Sequence, residues 1–439
     1  MPRRYYIETF GCQMNFHDSE TIAGILAALG WQPAPTPDQA QLVLLNTCSV
    51  REKPHRKVFS RLGELRVLKQ RRPGLLVGVC GCMAQLIPDE IRRRAPHVDL
   101  LIGPRDYASL PQAIEGAQAG VCALHLDFQR RIPEGLPQQR ADDVCAWVTA
   151  IYGCSNFCSY CVVPYARGAE KSREPELILR EITELAEQGC KEITLLGQNV
   201  NSYGRDLDRK VDFPDLLAFA NDTEGIERIR FTTSHPKDCS PRLIEALAAL
   251  PKVCEHLHLP VQSGDDDVLR RMNRTYTAAQ YLDLVQQARD RVPGISITTD
   301  VMVGFPGESE QAFERTLALF QEVRFDQAFM FKYNNRPAVA ASNMPDQAPE
   351  EVKQRRLERL IAFQNETGRQ VNSQLVGQTV EVLVEGERPG RQGQLQGRTR
   401  TNKLTLFPGS PASKGSLVRA RITEAFVWGL KGELAPSDR

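Results

Sequence analysis

The chain has 439 residues, 41% hydrophobic and 25% charged, with a formal net charge of +1. That length exceeds one ordinary core and predicts about three domains, and the composition is that of a globular protein, not a disordered or fibrous one. No apolar run approaches the ~20 residues that cross a bilayer, and the first nine residues lack the apolar stretch of a secretion signal, so a cytoplasmic protein with no membrane partner is expected.

Residues 1–127 alternate strand and helix. A strand is predicted over 5–9. A helix over 18–29 follows, with Ile22, Ile25, Leu26 and Leu29 on one face, Asp18 and Ser19 as N-cap chemistry and Gly30 as the stop. Next come an apolar strand over 42–45, a helix through Val58, Leu62, Leu65 and Leu68, and strands over 75–79 and 98–102. Short, wholly apolar strands between helices predict a parallel sheet covered on both faces. Residues 128–142, polar and holding Pro133 and Pro137, read as a linker.

From residue 143 the alternation resumes at larger scale. Strands are predicted over 146–151, 192–196, 228–232, 256–259, 296–303 and 328–333, separated by helical patterns such as 175–188 and 280–291. Six βα units in series predict a partial parallel barrel over 143–373, with a last helix over 350–373. After Gly377 the texture changes to short strands over 379–385, 392–398, 403–407 and 417–427, broken by Gly and Pro turns. A small all-β barrel over 374–437 is expected. The fold class is therefore α/β with a β-barrel tail. From residue 375 onward ten Lys/Arg stand against six Asp/Glu, an excess of the sign that suits a nucleic acid.

Twelve cysteines without a secretion signal predict thiolate or metal chemistry at some sites and packing at the rest, not a disulfide framework. Cys154, Cys158 and Cys161 form C-x3-C-x2-C just after the first strand of the six-unit region, and strand-following loops form the active face of such barrels. Four thiolates complete the ligand set of a zinc ion or a 4Fe-4S cube. Three leave one iron of a cube open to a substrate or cofactor. A zinc knuckle borrowing a distant fourth ligand is the alternative.

A second set is less visible. Cys12, Cys48 and Cys82 each follow one of three successive strands, which delivers them to one carboxyl edge, where open α/β sheets bind ligands. Cys80 competes with Cys82 but lies at the strand end, whereas Cys82 falls in the loop. Cysteines 122, 145, 190, 239 and 254 are expected in packing.

A C-x3-C-x2-C loop opening a βα barrel resembles the radical S-adenosylmethionine (SAM) superfamily. Two open triplets and a β-barrel tail together resemble the MiaB-type tRNA methylthiotransferases over essentially the whole chain. Asn46-Thr47-Cys48-Ser49-Val50-Arg51-Glu52, Thr232-Thr233-Ser234-His235-Pro236 and Gly397-Arg398-Thr399-Arg400-Thr401-Asn402-Lys403 carry that likeness. Near Tyr333 the family tends toward Tyr-Ser-x-Arg-x-Gly-Thr-x-Ala. Here Tyr333 and Arg336 match, while Asn334, Ala338 and Val339 depart.

The resemblance implies two 4Fe-4S clusters. Cys154, Cys158 and Cys161 would hold the one that cleaves SAM to a 5′-deoxyadenosyl radical. Cys12, Cys48 and Cys82 would hold an auxiliary cluster carrying the sulfur to be donated, with two SAM consumed per turnover. It places Tyr160, Glu170, Ser172, Asn199, Thr233 and Gln262 at SAM, and Arg336, Arg398, Arg400 and Lys403 at RNA. The implied substrate is tRNA bearing isopentenyladenosine beside the anticodon, methylthiolated at C2. Relatives acting on threonylcarbamoyladenosine or on a ribosomal-protein aspartate are the near alternatives, and an RNA-binding module with two zinc sites is the distant one. A one-electron donor of flavodoxin or ferredoxin type and a monomeric chain are also expected.

Overall fold

The computed structural model describes residues 3–49, 52–127, 134–140, 142–336 and 339–435, the side chains of 52–54 excepted. Val50, Arg51, Pro337, Ala338 and residues 128–133 and 141 of the expected linker lie outside the described residues. The chain forms two compact units. One comprises Met1–Ala141, Tyr152–Phe157 and Cys161–Lys171, and the other Asp142–Ile151, Cys158–Tyr160 and Ser172–Arg439.

The first unit is built on six parallel strands: β1 (Arg4–Thr9), β2 (Gln32–Pro33), β3 (Leu42–Thr47), β4 (Leu76–Gly81), β5 (Leu100–Ile102) and β6 (Ala123–His125), in the order β2-β1-β3-β4-β5-β6. Central β3 is buried along its whole length. Leu42 and Leu44 pack into one core cluster and Val43 and Leu45 into the other. A period of two with both faces covered produces the unbroken apolar run of the sequence. The edge strands β2 and β6 are short additions to the expected four.

Helix α1 (Gln13–Ala28) starts five residues before its expected position and is capped at Cys12. The Cys12 N–H donates to Asn15 Oδ1 at 3.4 Å. Asp18 and Ser19, expected as caps, are engaged elsewhere: Asp18 accepts from Arg167, and Ser19 Oγ accepts from Asn46 Nδ2 at 2.8 Å. Helix α2 (Glu52–Arg71) follows β3, the short α3 (Cys82–Leu86) follows β4, and α4 (Val163–Arg167) packs against α3 within the same unit.

The second unit opens with six parallel strands: β7 (Cys145–Thr149), β8 (Glu192–Leu196), β9 (Arg228–Phe231), β10 (His256–His258), β11 (Ser296–Val303) and β12 (Gln327–Lys332). They form two three-stranded arcs, β9-β8-β7 and β10-β11-β12, with a parallel bridge between Ile229 and Val253. Val148, Ile193, Leu195, Ile229, Leu257 and Ile297 point into one continuous core. This is the expected partial barrel. Helix α5 (Asp266–Arg271) lies after β10, and α6 (Glu350–Ser373) leads to the tail.

The tail is a closed barrel of β13 (Thr379–Glu387), β14 (Gln394–Thr399), β15 (Leu404–Pro408), β16 (Leu417–Phe426) and β17 (Gly429–Leu434), in the order β13-β14-β15-β17-β16. β17 was absent from the expected strands, because the turn at Val427-Trp428 has neither Gly nor Pro to mark it. Gly429 carries the positive φ that starts the strand, and a Cβ there would stand 2.3 Å from the Leu404 carbonyl oxygen. Among the described residues, no helix is long and apolar enough to cross a membrane.

Candidate functional site

β1, β3 and β4 are neighbours in the sheet, and each ends at one cysteine of the first triplet. Cys12 caps α1, Cys48 follows β3 directly and Cys82 opens α3. Glycines bring the ends together. A Cβ on Gly11 would stand 2.8 Å from Cys48 Cβ and 2.3 Å from Asn15 Oδ1; one on Gly81, at φ +87°, would stand 2.6 Å from Asn46 Oδ1. Only glycine permits both the close approach and the conformation. Beneath the thiols, Asn15 Nδ2 donates to the Thr47 carbonyl at 3.2 Å and Asn46 Nδ2 to the Asn15 carbonyl at 2.7 Å. Neither asparagine carries a bracing role in the sequence reading, although Cys12-x-x-Asn15 and Asn46-x-Cys48 are visible there.

Cys48 and Cys82 are buried and Cys12 is partly exposed. Burial pushes the Cys82 thiol up; the Arg167 guanidinium, hydrogen-bonded to it, pulls it back, and Cys12 opposes that. Iron binding requires thiolates, so a buried cation at Cys82 favours the ligating form. Cys80 behaves differently: it lies wholly within a core cluster and burial pushes its thiol up to about 12. Cys12, Cys48 and Cys82 offer soft sulfur donors, the ligand type that suits an iron–sulfur group.

The second triplet sits on the loop after β7. In the first unit, the Cys154 N–H donates to the Gly168 carbonyl at 3.0 Å, and Ser155 Oγ accepts from the Glu170 N–H at 3.1 Å. In the second unit, Ser159 donates through its N–H to the Met272 carbonyl at 3.1 Å and through Oγ to the Arg271 carbonyl at 2.8 Å. Tyr160 stands edge-on to Phe305, ring centroids 6.4 Å apart, and its hydroxyl accepts from Arg274 Nη2 at 2.7 Å. Cys154 is buried, while Cys158 and Cys161 are partly exposed and accessible to a cofactor.

The other expected SAM residues are distributed along the strand ends. Thr233, after β9, and Gln262, after β10, both adopt positive φ, at 64° and 66°. A β-branched residue there is strained, and such strain concentrates at ligand sites. Asn199, after β8, is buried and donates to Asp238 Oδ2 at 2.7 Å. Ser172 accepts from the Gly204 N–H at 3.0 Å and so braces the backbone. Glu170 is partly exposed.

The tail cations meet carboxylates within the chain. Arg400 makes a bidentate pair with Glu255, at 2.8 Å from Nη2 to Oε1 and 2.8 Å from Nε to Oε2, and Lys403 Nζ meets Asp326 Oδ1 at 2.5 Å and Asn372 at 2.9 Å. Arg230 donates to the carbonyls of Thr399 and Arg400, and the fully buried Arg228 to that of Arg398. Carboxylates thus pair with Arg400 and Lys403, which fasten the small barrel to the larger one. Arg398 also pairs with a carboxylate, through Nε to Glu385 Oε1 at 3.1 Å, but keeps a side chain 40% exposed, and Arg336 is partly buried. Of the cysteines expected in packing, Cys190, Cys239 and Cys254 are buried, Cys145 is partly so, and Cys122 is exposed.

Residues 148–320 match the radical SAM superfamily, 4–103 the uncharacterized protein family UPF0004, and 373–435 the TRAM domain. The tRNA-2-methylthio-N(6)-dimethylallyladenosine synthase of Carboxydothermus hydrogenoformans is 48% identical over 436 residues, 98% of this chain and 99% of that one. The protein of the same name from Desulforamulus reducens is 49% identical over 437 residues, 99% and 96% of the two chains. Among solved structures, the radical S-adenosylmethionine methyltransferase TsrM of Kitasatospora setae, with cobalamin and a 4Fe-4S cluster bound, shares the fold. Its TM-score is 0.55 at 14% identity, over 78% of this chain and 77% of that one. A thiol triplet on the loop after the first strand of a partial βα barrel, within that superfamily match, defines a radical SAM enzyme using 4Fe-4S chemistry and SAM. The chain belongs to the family of tRNA-2-methylthio-N(6)-dimethylallyladenosine synthases, which are radical SAM tRNA methylthiotransferases.

Proposed function

We propose that this chain methylthiolates C2 of N6-isopentenyladenosine beside the anticodon of tRNA, giving 2-methylthio-N6-isopentenyladenosine. The observation that carries this reading is the delivery of Cys12, Cys48 and Cys82 by three adjacent parallel strands, in a chain that also holds Cys154, Cys158 and Cys161. The C2 hydrogen is not acidic enough for an ordinary base, so the cofactor supplies the hard step. When bound, a 4Fe-4S cluster with an open iron supplies the electron that cleaves SAM.

The chain's residues bind and orient. Cys154, Cys158 and Cys161 hold the SAM-cleaving cluster. Cys12, Cys48 and Cys82 hold an auxiliary cluster that carries the donated sulfur. Tyr160, Glu170, Ser172, Asn199, Thr233 and Gln262 line the SAM site, Ser172 through the backbone it braces. Arg336 and Arg398 meet the RNA, giving affinity and register but no base choice; the target base enters unstacked.

In this reading residues 1–127 form the auxiliary-cluster domain, 128–142 the linker, 143–373 the radical SAM barrel and 374–437 the RNA-binding barrel. The enzyme works as a cytoplasmic monomer fed by a flavodoxin or ferredoxin. Nucleoside mass spectrometry of tRNA from cells lacking the protein tests the proposal. Loss of the methylthio group with the isopentenyl group retained is expected; an unchanged methylthio level sinks it.

A further inference from the structure

Arg274 is a half-buried cation with no role in the reading above. Its position is fixed by backbone. Helix α5 ends in a Schellman motif: Asn273 takes φ 58°, its N–H donates to the Arg270 carbonyl at 3.0 Å, and the Arg274 N–H donates to the Leu269 carbonyl at 2.9 Å. The same turn is fastened to the cysteine loop by the two bonds from Ser159 to the Arg271 and Met272 carbonyls. Arg274 therefore emerges against Cys158-Ser159-Tyr160. Its Nη2 donates to the Tyr160 hydroxyl at 2.7 Å, while Nε and Nη1 are shielded from water and meet no acceptor among the described residues.

A desolvated guanidinium with two unmet donors calls for an anion. Cys158 stands two residues before Tyr160 on the loop that Arg274 meets, and as a cluster ligand it is a thiolate.

We propose that Arg274 is a positioning residue of the SAM-cleaving site, holding the Tyr160 ring and facing the Cys158 thiolate with a fixed positive charge that eases reduction of the cluster. The inference rests on the assignment of Cys154, Cys158 and Cys161 to a cluster. A cluster gains negative charge on reduction, and in a low-dielectric surround a nearby cation favours that form.

The test is a redox titration of the full-length, iron-reconstituted protein followed by electron paramagnetic resonance. The SAM-cleaving cluster is recognised by the change in its signal on adding SAM. Arg274→Gln should shift its midpoint to lower potential with iron content retained, Arg274→Lys should restore most of the shift, and Tyr160→Phe should move it less than Arg274→Gln does. Loss of the cluster in the Gln variant with retention in the Lys variant also supports the role of charge. A Gln variant at the wild-type midpoint, Gln and Lys variants that behave alike, or a Tyr160→Phe shift as large as that of Gln overturns it. A wild-type protein that takes up iron but shows no SAM-sensitive signal overturns the cluster assignment itself.

Discussion

Arg167 Nη2 lies 2.7 Å from Asp18 Oδ2, and each side chain is only 5% exposed. The pair joins α4, which follows the cysteine loop, to α1, which Cys12 caps, and Tyr107 adds its hydroxyl to the same carboxylate oxygen at 3.2 Å. Arg167 also reaches Cys82. One buried ion pair thus braces the helix after the second triplet against the elements that carry the first.

Removing one partner of such a pair strands the other charge, at about 3–5 kcal/mol. Asp18→Asn, which keeps the shape, should lower the urea midpoint of the apo-protein and reduce its iron uptake. The double variant Asp18→Asn, Arg167→Met should recover much of the midpoint. Equal stability of wild type and Asp18→Asn in urea unfolding would show that the pair carries no weight.

The two triplets should fail separately. Cys158→Ala should abolish SAM cleavage and retain roughly four irons per chain, the content of one cube. Cys48→Ala should keep roughly four irons and SAM cleavage yet stop sulfur insertion. Iron analysis, deoxyadenosine release and tRNA nucleoside analysis read the three outcomes. If both variants cleave SAM normally, the triplet roles are misassigned.

Much of this was legible in the sequence because periodicity reports burial. The short run Leu42-Val43-Leu44-Leu45 reads as a strand buried on both faces, and it is one. The cysteines stood out by spacing and by their place after strands. What stayed hidden depends on long-range partners. Asp18 reads locally as a cap, but its partner Arg167 is 149 residues away. Arg400 and Lys403 look like an RNA face in the sequence, where their partners Glu255 and Asp326 lie too far off to be read. Arg274 has no local signature at all, since its place follows from a tertiary contact with the cysteine loop.

Acid should weaken the barrel through His235. Its Nδ1 accepts from the Lys237 N–H at 3.2 Å, so that nitrogen carries no proton. Burial, then Arg274, Lys237 and Arg205, push its pKa down to about 2. An unfolded histidine titrates near 6.5. The folded value is depressed, so the stability it contributes is present above pH ~6.5 and is lost as pH falls from there toward 2. By pH 5 the loss is about 2 kcal/mol. Urea unfolding at pH 7.5 and pH 5 should show this decline, and His235→Asn should lessen it. An identical pH dependence in the variant would place the acid sensitivity elsewhere.

The small barrel should separate docking from RNA binding. Arg400 and Glu255 form a bidentate, partly exposed pair, which is worth about 1 kcal/mol. A double-mutant cycle with Arg400→Ala and Glu255→Ala should return a coupling of that size in unfolding experiments. Because Arg400 is neutralised within the chain, it displaces no counterion from RNA. Arg400→Ala should therefore leave the slope of log K against log salt for tRNA unchanged, whereas Arg398→Ala should reduce it by about one. The reverse, with the slope falling for Arg400 and holding for Arg398, would mean that the Glu255 pair opens on RNA and that the docking seen here belongs to the free protein.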